Sequence, residues 1–366
     1  MRFSRYNDLW IKTTLNTDVE RITRRNTNNE SNLPLTISAQ YGLINQNEFF
    51  NKQIASRDLT NYILLNKGEF AYNKSYSADY PWGAVKRLDK YDKGVLSSLY
   101  ICFAPKSNVD SDFLVHYFET PKWYNEISNI AGEGARNHGL LNMAVSDYFN
   151  TKHSFPSIQE QHKISQFLNL INQRIDTQSK IIEKYESLIK AISNKLFFNI
   201  TNRVNLSEIC SITTGKLDVN QMDENGIYPF FTCGKETLKI NKYAFDCEAI
   251  LISGNGDIGR TKYYNGKFNA YQRTYILYNF KGSPIFVKYA IDYALPKKVK
   301  EETQISAMPY IKLGTLSELS IPYPDIHIQI EDVQILNTLQ TKINVETEIL
   351  EKLKEQKKYL LSNMFI

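Results

Sequence analysis

Pro156-Ser157-Ile158-Gln159-Glu160-Gln161-His162-Lys163-Ile164 opens a stretch in which Ile164, Leu168, Ile171, Ile175, Gln178, Ile182, Tyr185, Ile189, Ile192 and Leu196 follow at alternating steps of four and three. That spacing returns each side chain to one narrow stripe, the seam of a coiled-coil helix. Pro156 suits the residues just before a helix, and Ser157 and Glu160 are spaced to cap each other's free backbone donors. Ile164 to Leu196 is 33 residues, about 50 Å of helix at ~1.5 Å per residue. A helix of that length with so narrow an apolar stripe needs a partner.

The partner is in the same chain. Pro324, Gln329, Leu336-Asn337, Ile343, Glu351-Lys352 and Phe365 repeat Pro156, Gln161, Leu168-Asn169, Ile175, Glu183-Lys184 and Phe197 at a constant offset of 168 residues. The second seam runs Leu336, Leu339, Ile343, Glu346, Leu350, Leu353, Lys357, Leu360 and Met364, with Glu346 and Lys357 as interruptions and Asp325 placed to cap the helix. Two seams on one chain meet at high effective concentration. Antiparallel pairing would bring Gln178 and Glu346, both near mid-helix, together and so fix the register. Pairing between separate chains is the alternative. Residues 1–155 and 201–323 read differently, as short Tyr-, Phe-, Ile- and Val-rich strands broken by Gly, Asn and Pro, with helical pieces such as Val287–Tyr293. The expectation is an α+β chain with a pseudo-twofold internal repeat: globule 1–155, helix 156–200, globule 201–323, helix 324–366.

With 366 residues, 42% of them hydrophobic and 13% aromatic, the chain can bury more than one core, since single cores stop growing near ~250–300 residues. No apolar run reaches the ~20 residues of a membrane span, and Met1-Arg2-Phe3-Ser4-Arg5-Tyr6 lacks the apolar core of a signal peptide. A cytoplasmic protein without membrane contact is expected. Cys102, Cys210, Cys233 and Cys247 are too scattered for a zinc knuckle or a redox pair, and His116, His138, His153, His162 and His327 show no metal spacing. Gly254-Asn255-Gly256-Asp257-Ile258-Gly259 fits a dinucleotide pattern, but that site needs a following helix. Arg260–Tyr264 reads instead as a strand running into a turn at Asn265-Gly266. There is no Walker loop, no glycine-flanked nucleophilic serine and no Asn/Asp-Pro-Pro-aromatic tetrapeptide. The layout is that of a binder with no catalytic centre, no metal and no cofactor of its own.

The net charge is +5, and its location is informative. Residues 156–200 carry six basic and four acidic side chains and residues 324–366 five and seven, whereas the globules carry 18 against 16 and 15 against 12. From Ile258 to Ile291 there are six basic residues and no acid, interleaved with Tyr263, Tyr264, Phe268, Tyr271, Tyr275, Tyr278 and Phe280. Such a mixture suits neutralising phosphates and reading base edges. It is equally that of an ordinary sheet with a solvated lysine face. Under the first reading the candidate nucleic-acid contacts are Arg260, Lys262, Tyr263, Arg273, Gln272 and Asn255, and in the first globule Lys74, Lys86, Arg87, Arg136 and Asn137. The duplicated globule and helix also allow a coiled-coil scaffold or adaptor whose globules bind proteins.

The repeated globule, the Pro–x4–Gln helix start and the heptad helix ending in Lys195-Leu196-Phe197 or Asn363-Met364-Phe365 resemble the specificity subunits of type I restriction-modification systems. The likeness is sharpest over Pro156–Ile164; the second copy departs from it with Ile328 in the place of Glu160. The resemblance implies two target-recognition domains, each reading half of a split double-stranded DNA sequence, with the paired helices as spacer. It implies partners too: two methyltransferase subunits carrying S-adenosylmethionine and methylating adenine, and a translocating restriction subunit using ATP and Mg. The spacer seam would comprise Leu168, Ile171, Ile175, Ile182, Ile189, Leu336, Leu339, Ile343, Leu350 and Leu353. A spacer of about 50 Å corresponds to ~15 base pairs at 3.4 Å each. Unlike globules on like helices are what a reader of two unlike half-sites requires.

Overall fold

Two helices organise the chain, Ile158–Phe198 and Ile326–Met364. The computed structural model describes residues 2–38, 40–52, 54–77, 80–131, 139–303 and 310–365. The chain divides into two compact units, Met1–Thr177 with Leu350–Ile366, and Gln178–Ile349. Each unit therefore owns one globule, the start of the helix that follows it, and the end of the other helix. That division cuts across the four segments of the sequence.

In the first unit, Ile164, Leu168 and Ile171 share a core with Leu360, Met364 and Phe365. In the second, Ile189, Ile192, Leu196 and Phe197 share one with Val333 and Leu336. The start of one helix lies beside the end of the other both times, which is the antiparallel arrangement the seams require. Every expected seam residue is buried or half-buried. Of the two interruptions, Glu346 receives hydrogen bonds from the Gln178 amide, at its carbonyl over 3.0 Å and at its carboxylate. Lys357 turns to the first globule and pairs with Glu119 at 2.9 Å.

The globules begin and end alike. Ile11–Thr14 pairs antiparallel with Lys152–Phe155, just before the first long helix. Arg203–Asn205 pairs in the same way with Ser320–Pro322, just before the second. Between these ribbons the two diverge. The first globule has a four-stranded antiparallel sheet in the order Val19–Ile22, Ile101–Pro105, Phe70–Asn73, Ala84–Arg87, and two smaller pairs. The second has one six-stranded sheet in the order Ser211–Thr214, Thr274–Tyr278, Phe245–Ser253, Thr261–Ala270, Tyr228–Phe231, Thr237–Ile240. The helix expected at Val287–Tyr293 extends over Pro284–Thr303. The turn expected at Asn265-Gly266 is absent: Cys247 pairs with Gly266 inside an uninterrupted ribbon, and Gly266 takes up the local distortion at φ 131°, which costs glycine little.

What repeats most closely is the joint between globule and helix. Gln161 donates from Nε2 to the Pro156 carbonyl (2.9 Å) and accepts from the Asp110 N–H (2.8 Å). Gln329 donates to the Pro324 carbonyl (2.8 Å) and accepts from the Ser283 N–H (3.1 Å). Asp110 and Ser283 each stand at the start of a globule helix, Ser111–Tyr117 and Pro284–Thr303. One and a half turns on, His116 bonds Asn169 at 2.9 Å and Tyr289 donates to Asn337 at 3.1 Å. Phe113 meets Phe365 and Phe286 meets Phe197, with ring centroids 5.3 and 5.5 Å apart. Four of the residue pairs that reveal the repeat in sequence, Pro156/Pro324, Gln161/Gln329, Asn169/Asn337 and Phe197/Phe365, are thus residues of this joint.

The copies differ where the sequence differs. Ser157 Oγ accepts from the Glu160 N–H at 3.5 Å, half of the expected capping box. The Glu160 carboxylate, only 1% exposed, turns away to take a bidentate pair from Arg2, both bonds 2.6 Å. Phe3 lies edge-on to Phe167 beside that pair. The equivalent Ile328 is 46% exposed, and Asp325 contributes its carbonyl to the Gln329 N–H. Among the described residues no helix is long and apolar enough to cross a membrane.

Two expected outcomes follow from this packing. Gln329→Ala leaves the half-buried Ser283 N–H and the buried Pro324 carbonyl unpaired and should cost about 1–3 kcal/mol in denaturant unfolding, whereas Ile328→Ala should stay within ~0.5 kcal/mol, as exposed changes do. The second concerns His153, buried between Tyr117 (2.7 Å) and Thr151 (2.8 Å). Burial lowers its pKa from 6.5 to about 4. The neutral ring is therefore favoured by folding, and its contribution is fully present above pH 6.5 and lost as pH falls toward 4. Stability should fall by up to ~1.4 kcal/mol per pH unit across that window, and His153→Gln should flatten the profile.

Candidate nucleic-acid interface

The basic stretch of the second globule lies on strands and the loops between them. Phe245–Ser253 and Thr261–Ala270 form a long antiparallel ribbon, and Thr274–Tyr278 lies on the other side of the first strand. Gly254–Gly259 is the loop of that ribbon, not the start of a helix. Gly259 N–H bonds the Ser253 carbonyl at 2.9 Å, with Gly256 and Gly259 at φ 64° and 78°. This geometry excludes the dinucleotide reading and explains the glycines.

Hydrogen bonds to backbone carbonyls tie four loops together here. The Arg273 carbonyl accepts from Gly254 N–H (2.9 Å) and from the Cys233 thiol (3.2 Å), and the Gly254 carbonyl accepts from Ile311 N–H (2.8 Å). The loops at Gly254, Arg273 and Ile311 border a cleft of about 360 Å³ lined by Gln272, Arg273, Thr214, Tyr275, Tyr310 and Lys312, among others. Gln272, Arg273 and Lys312 are exposed. Tyr275 gives its hydroxyl to the Ile311 carbonyl at 2.9 Å, fixing the ring as a wall. An exposed guanidinium, amide and ammonium around an aromatic-walled cleft can hold phosphate and hydrogen-bond base edges. Sequence reading missed Tyr310 and Lys312, which lie nearly forty positions from Arg273 in a stretch with no charge cluster or period to mark them.

The remaining candidates are occupied differently. Arg260 holds loops together: it pairs with Asp257 (3.2 Å) and donates to the Lys235 carbonyl (3.1 Å) and the Gly234 carbonyl. Lys262 bonds Thr237 (2.6 Å) and lies 5.0 Å over the Phe231 ring, and burial lowers its pKa. Tyr263 donates to Glu248 at 2.5 Å; burial, then that carboxylate, pushes its pKa up to about 12. Asn255 is half-buried in the ribbon loop.

In the first globule, Arg87 is 17% exposed and bonds Asp89 (2.7 Å), Ser111 (2.9 Å) and Asp112 (2.7 Å). Asp112 accepts also from Asn169 (2.9 Å), so Arg87 braces the joint to the long helix. Lys74 is half-buried and gives its carbonyl to Leu141 N–H at 3.0 Å. Lys86 lines a separate cleft with residues of the C-terminal helix. Arg136 and Asn137 lie outside the described residues. Among the described residues no group of three or more His, Cys, Asp and Glu could hold a metal ion, and all four cysteines are free thiols.

The contrast between the two arginines is testable. Arg260→Ala should lower the thermal stability of the full chain, by about 1–2 kcal/mol for several partly exposed bonds, and Arg273→Ala should leave it unchanged.

Residues 201–355 match the family model described as the type I restriction modification DNA specificity domain. The EcoDI specificity subunit of Escherichia coli is 39% identical over 154 residues, 41% of this chain and 33% of its own length. The matched stretch therefore spans a third of that relative. A putative type I specificity subunit of Mycoplasma pneumoniae, S.MpnORF615P, is 27% identical over 205 residues, 52% of this chain and 81% of that one. Among solved structures, the S subunit of a type-I restriction-modification system from M. genitalium aligns over 100% of this chain and 97% of its own, with TM-score 0.59 and 20% identity. A chain from a structure of type I R-M complex assembly and conformational transition aligns over 97% of each, with TM-score 0.55 and 15% identity. This chain is similar in sequence to the type I restriction modification DNA specificity domain through residues 201–355, and in fold, over its whole length, to specificity subunits of type I restriction-modification systems.

Proposed function

We propose that the chain is the non-catalytic DNA-specificity subunit of a type I restriction-modification enzyme. Each globule reads one half of a bipartite double-stranded target, and the paired helices set the spacing and dock two methyltransferase subunits. Those subunits would carry S-adenosylmethionine and methylate adenine; a translocating restriction subunit using ATP and Mg would join them. The observation that carries this reading is the pairing of one repeated joint with two unlike sheets. The glutamine joint is the same in both units, while the four-stranded and six-stranded sheets differ in order and loop content. A bipartite reader needs unlike recognition surfaces presented in a like way. The exposed Gln272, Arg273 and Lys312 around their cleft supply the residue types that read adenine and guanine edges and hold phosphate.

Co-expression with its cognate methyltransferase, followed by mapping of methylated adenines across a genome, tests the proposal. A split motif is expected, and replacing residues 1–155 with the corresponding globule of another family member should change one half only. Arg273→Ala should relax one base position of the other half at about 1–3 kcal/mol of discrimination, or weaken all sites equally if it holds phosphate. Absence of any split motif, with assembly intact, sinks the reading and leaves a protein-binding scaffold.

A further inference from the structure

The first unit contains a second cleft, of about 770 Å³, that joins globule 1 to the last turns of the C-terminal helix. Lys86 lines it from the sheet, and Lys354, Lys357 and Lys358 line it from the helix. Among the described residues that line it, Glu119 is the only carboxylate, and Lys357 already pairs with it at 2.9 Å. Lys354 has its own partner on the helix, Glu351 at 2.8 Å. Among these residues Lys86 and Lys358 are thus the charges left over. The walls are partly apolar, with Val85, Phe118 and Tyr124, so charges there are less screened than on an open surface.

Three details bear on what would enter. Burial lowers the Lys86 pKa, and Lys357 lowers it further against the pull of Glu119. Burial raises the Glu119 pKa, but His116, Lys357 and Lys86 together overcome it and hold the carboxyl at about 2. The one acid lining the cleft therefore stays ionised and saturated, and the excess positive charge remains for an incoming anion. The ammonium groups are spread along a turn of helix, about 6 Å from residue 354 to 358 at ~1.5 Å per residue, and across a facing strand. That spread suits a run of phosphates better than one compact anion.

We propose that this cleft is a phosphate-contact site for the duplex backbone, with Lys86 and Lys358 as its free cations, so that the C-terminal helix belongs to the DNA interface of the first unit as well as to the spacer. The inference rests on the DNA-specificity reading and extends it to a helix whose segment, 324–366, carries more acid than base. Lysine ammoniums are point charges, so the site holds DNA in place without reading bases.

The test is binding of the chain, assembled with its methyltransferase subunits, to a labelled duplex bearing the methylated motif across a salt series. The Lys86→Gln/Lys358→Gln double variant should reduce the slope of log K against log salt by about 1–2, near 0.9 for each phosphate no longer neutralised. The mapped motif should stay the same. Lys342→Gln, on the same helix but not lining the cleft, is the control. The single Lys358→Gln, on an exposed side chain, keeps the test sound if the double variant folds poorly and should reduce the slope by about 1. An unchanged slope in a folded variant overturns the proposal, as does a slope unchanged while methyltransferase assembly weakens, which assigns the cleft to protein contact. Lack of any salt-sensitive retention by the unmodified complex is a different failure and falls on the DNA-specificity reading itself.

Discussion

The bond between Gln178 and Glu346 is the constraint on which the rest of the molecule depends. These residues occupy equivalent places in the two copies of the repeat, 168 positions apart. Equivalent residues face each other in an antiparallel pair only at its midpoint. A polar contact within a mainly apolar seam favours that alignment over a slip by one heptad, which would set the half-buried amide and carboxylate against apolar neighbours. Once the midpoint is set, each helix start stands beside the other helix's end. Phe365 then arrives at Phe113, and Phe197 at Phe286.

The long helices were legible in the sequence because their information is local and periodic. A seam of alternating fours and threes can be read without knowing what it packs against, and each expected seam residue is buried or half-buried in the fold. The 168-residue offset was legible for the same reason, since it needs only comparison of the chain with itself. The joint was half legible. Pro156, Gln161, Asn169 and Phe197 stood out as repeated positions, but their partners are main-chain and side-chain groups of globule helices about fifty residues away or more. No pattern in Asp110 or Ser283 announces a bond made through a backbone N–H.

The candidate interface shows where composition stops being informative. Arg260 and Arg273 lie in one basic, aromatic stretch and have identical chemistry, yet one clamps loops and the other is exposed at a cleft. What separates them is the position of a tight loop relative to three strands, a tertiary fact. The turn expected at Asn265-Gly266 failed similarly, because a long pairing partner overrode a local turn preference. Charge counting by segment also hid a polarity. The second helix segment is acidic in sum, but four of its five lysines fall within residues 352–358.

The glutamine joint holds each globule by a main-chain N–H, from aspartate in one case and serine in the other. That one bond grips the peptide backbone and does not depend on which side chain the residue carries. The surfaces beyond the joint are therefore free to drift, provided the globule side chains that also meet the helices, His116 on Asn169 and Tyr289 on Asn337 among them, are kept. Selection for a new surface can then act on one globule at a time, so long as the residues of its joint are retained.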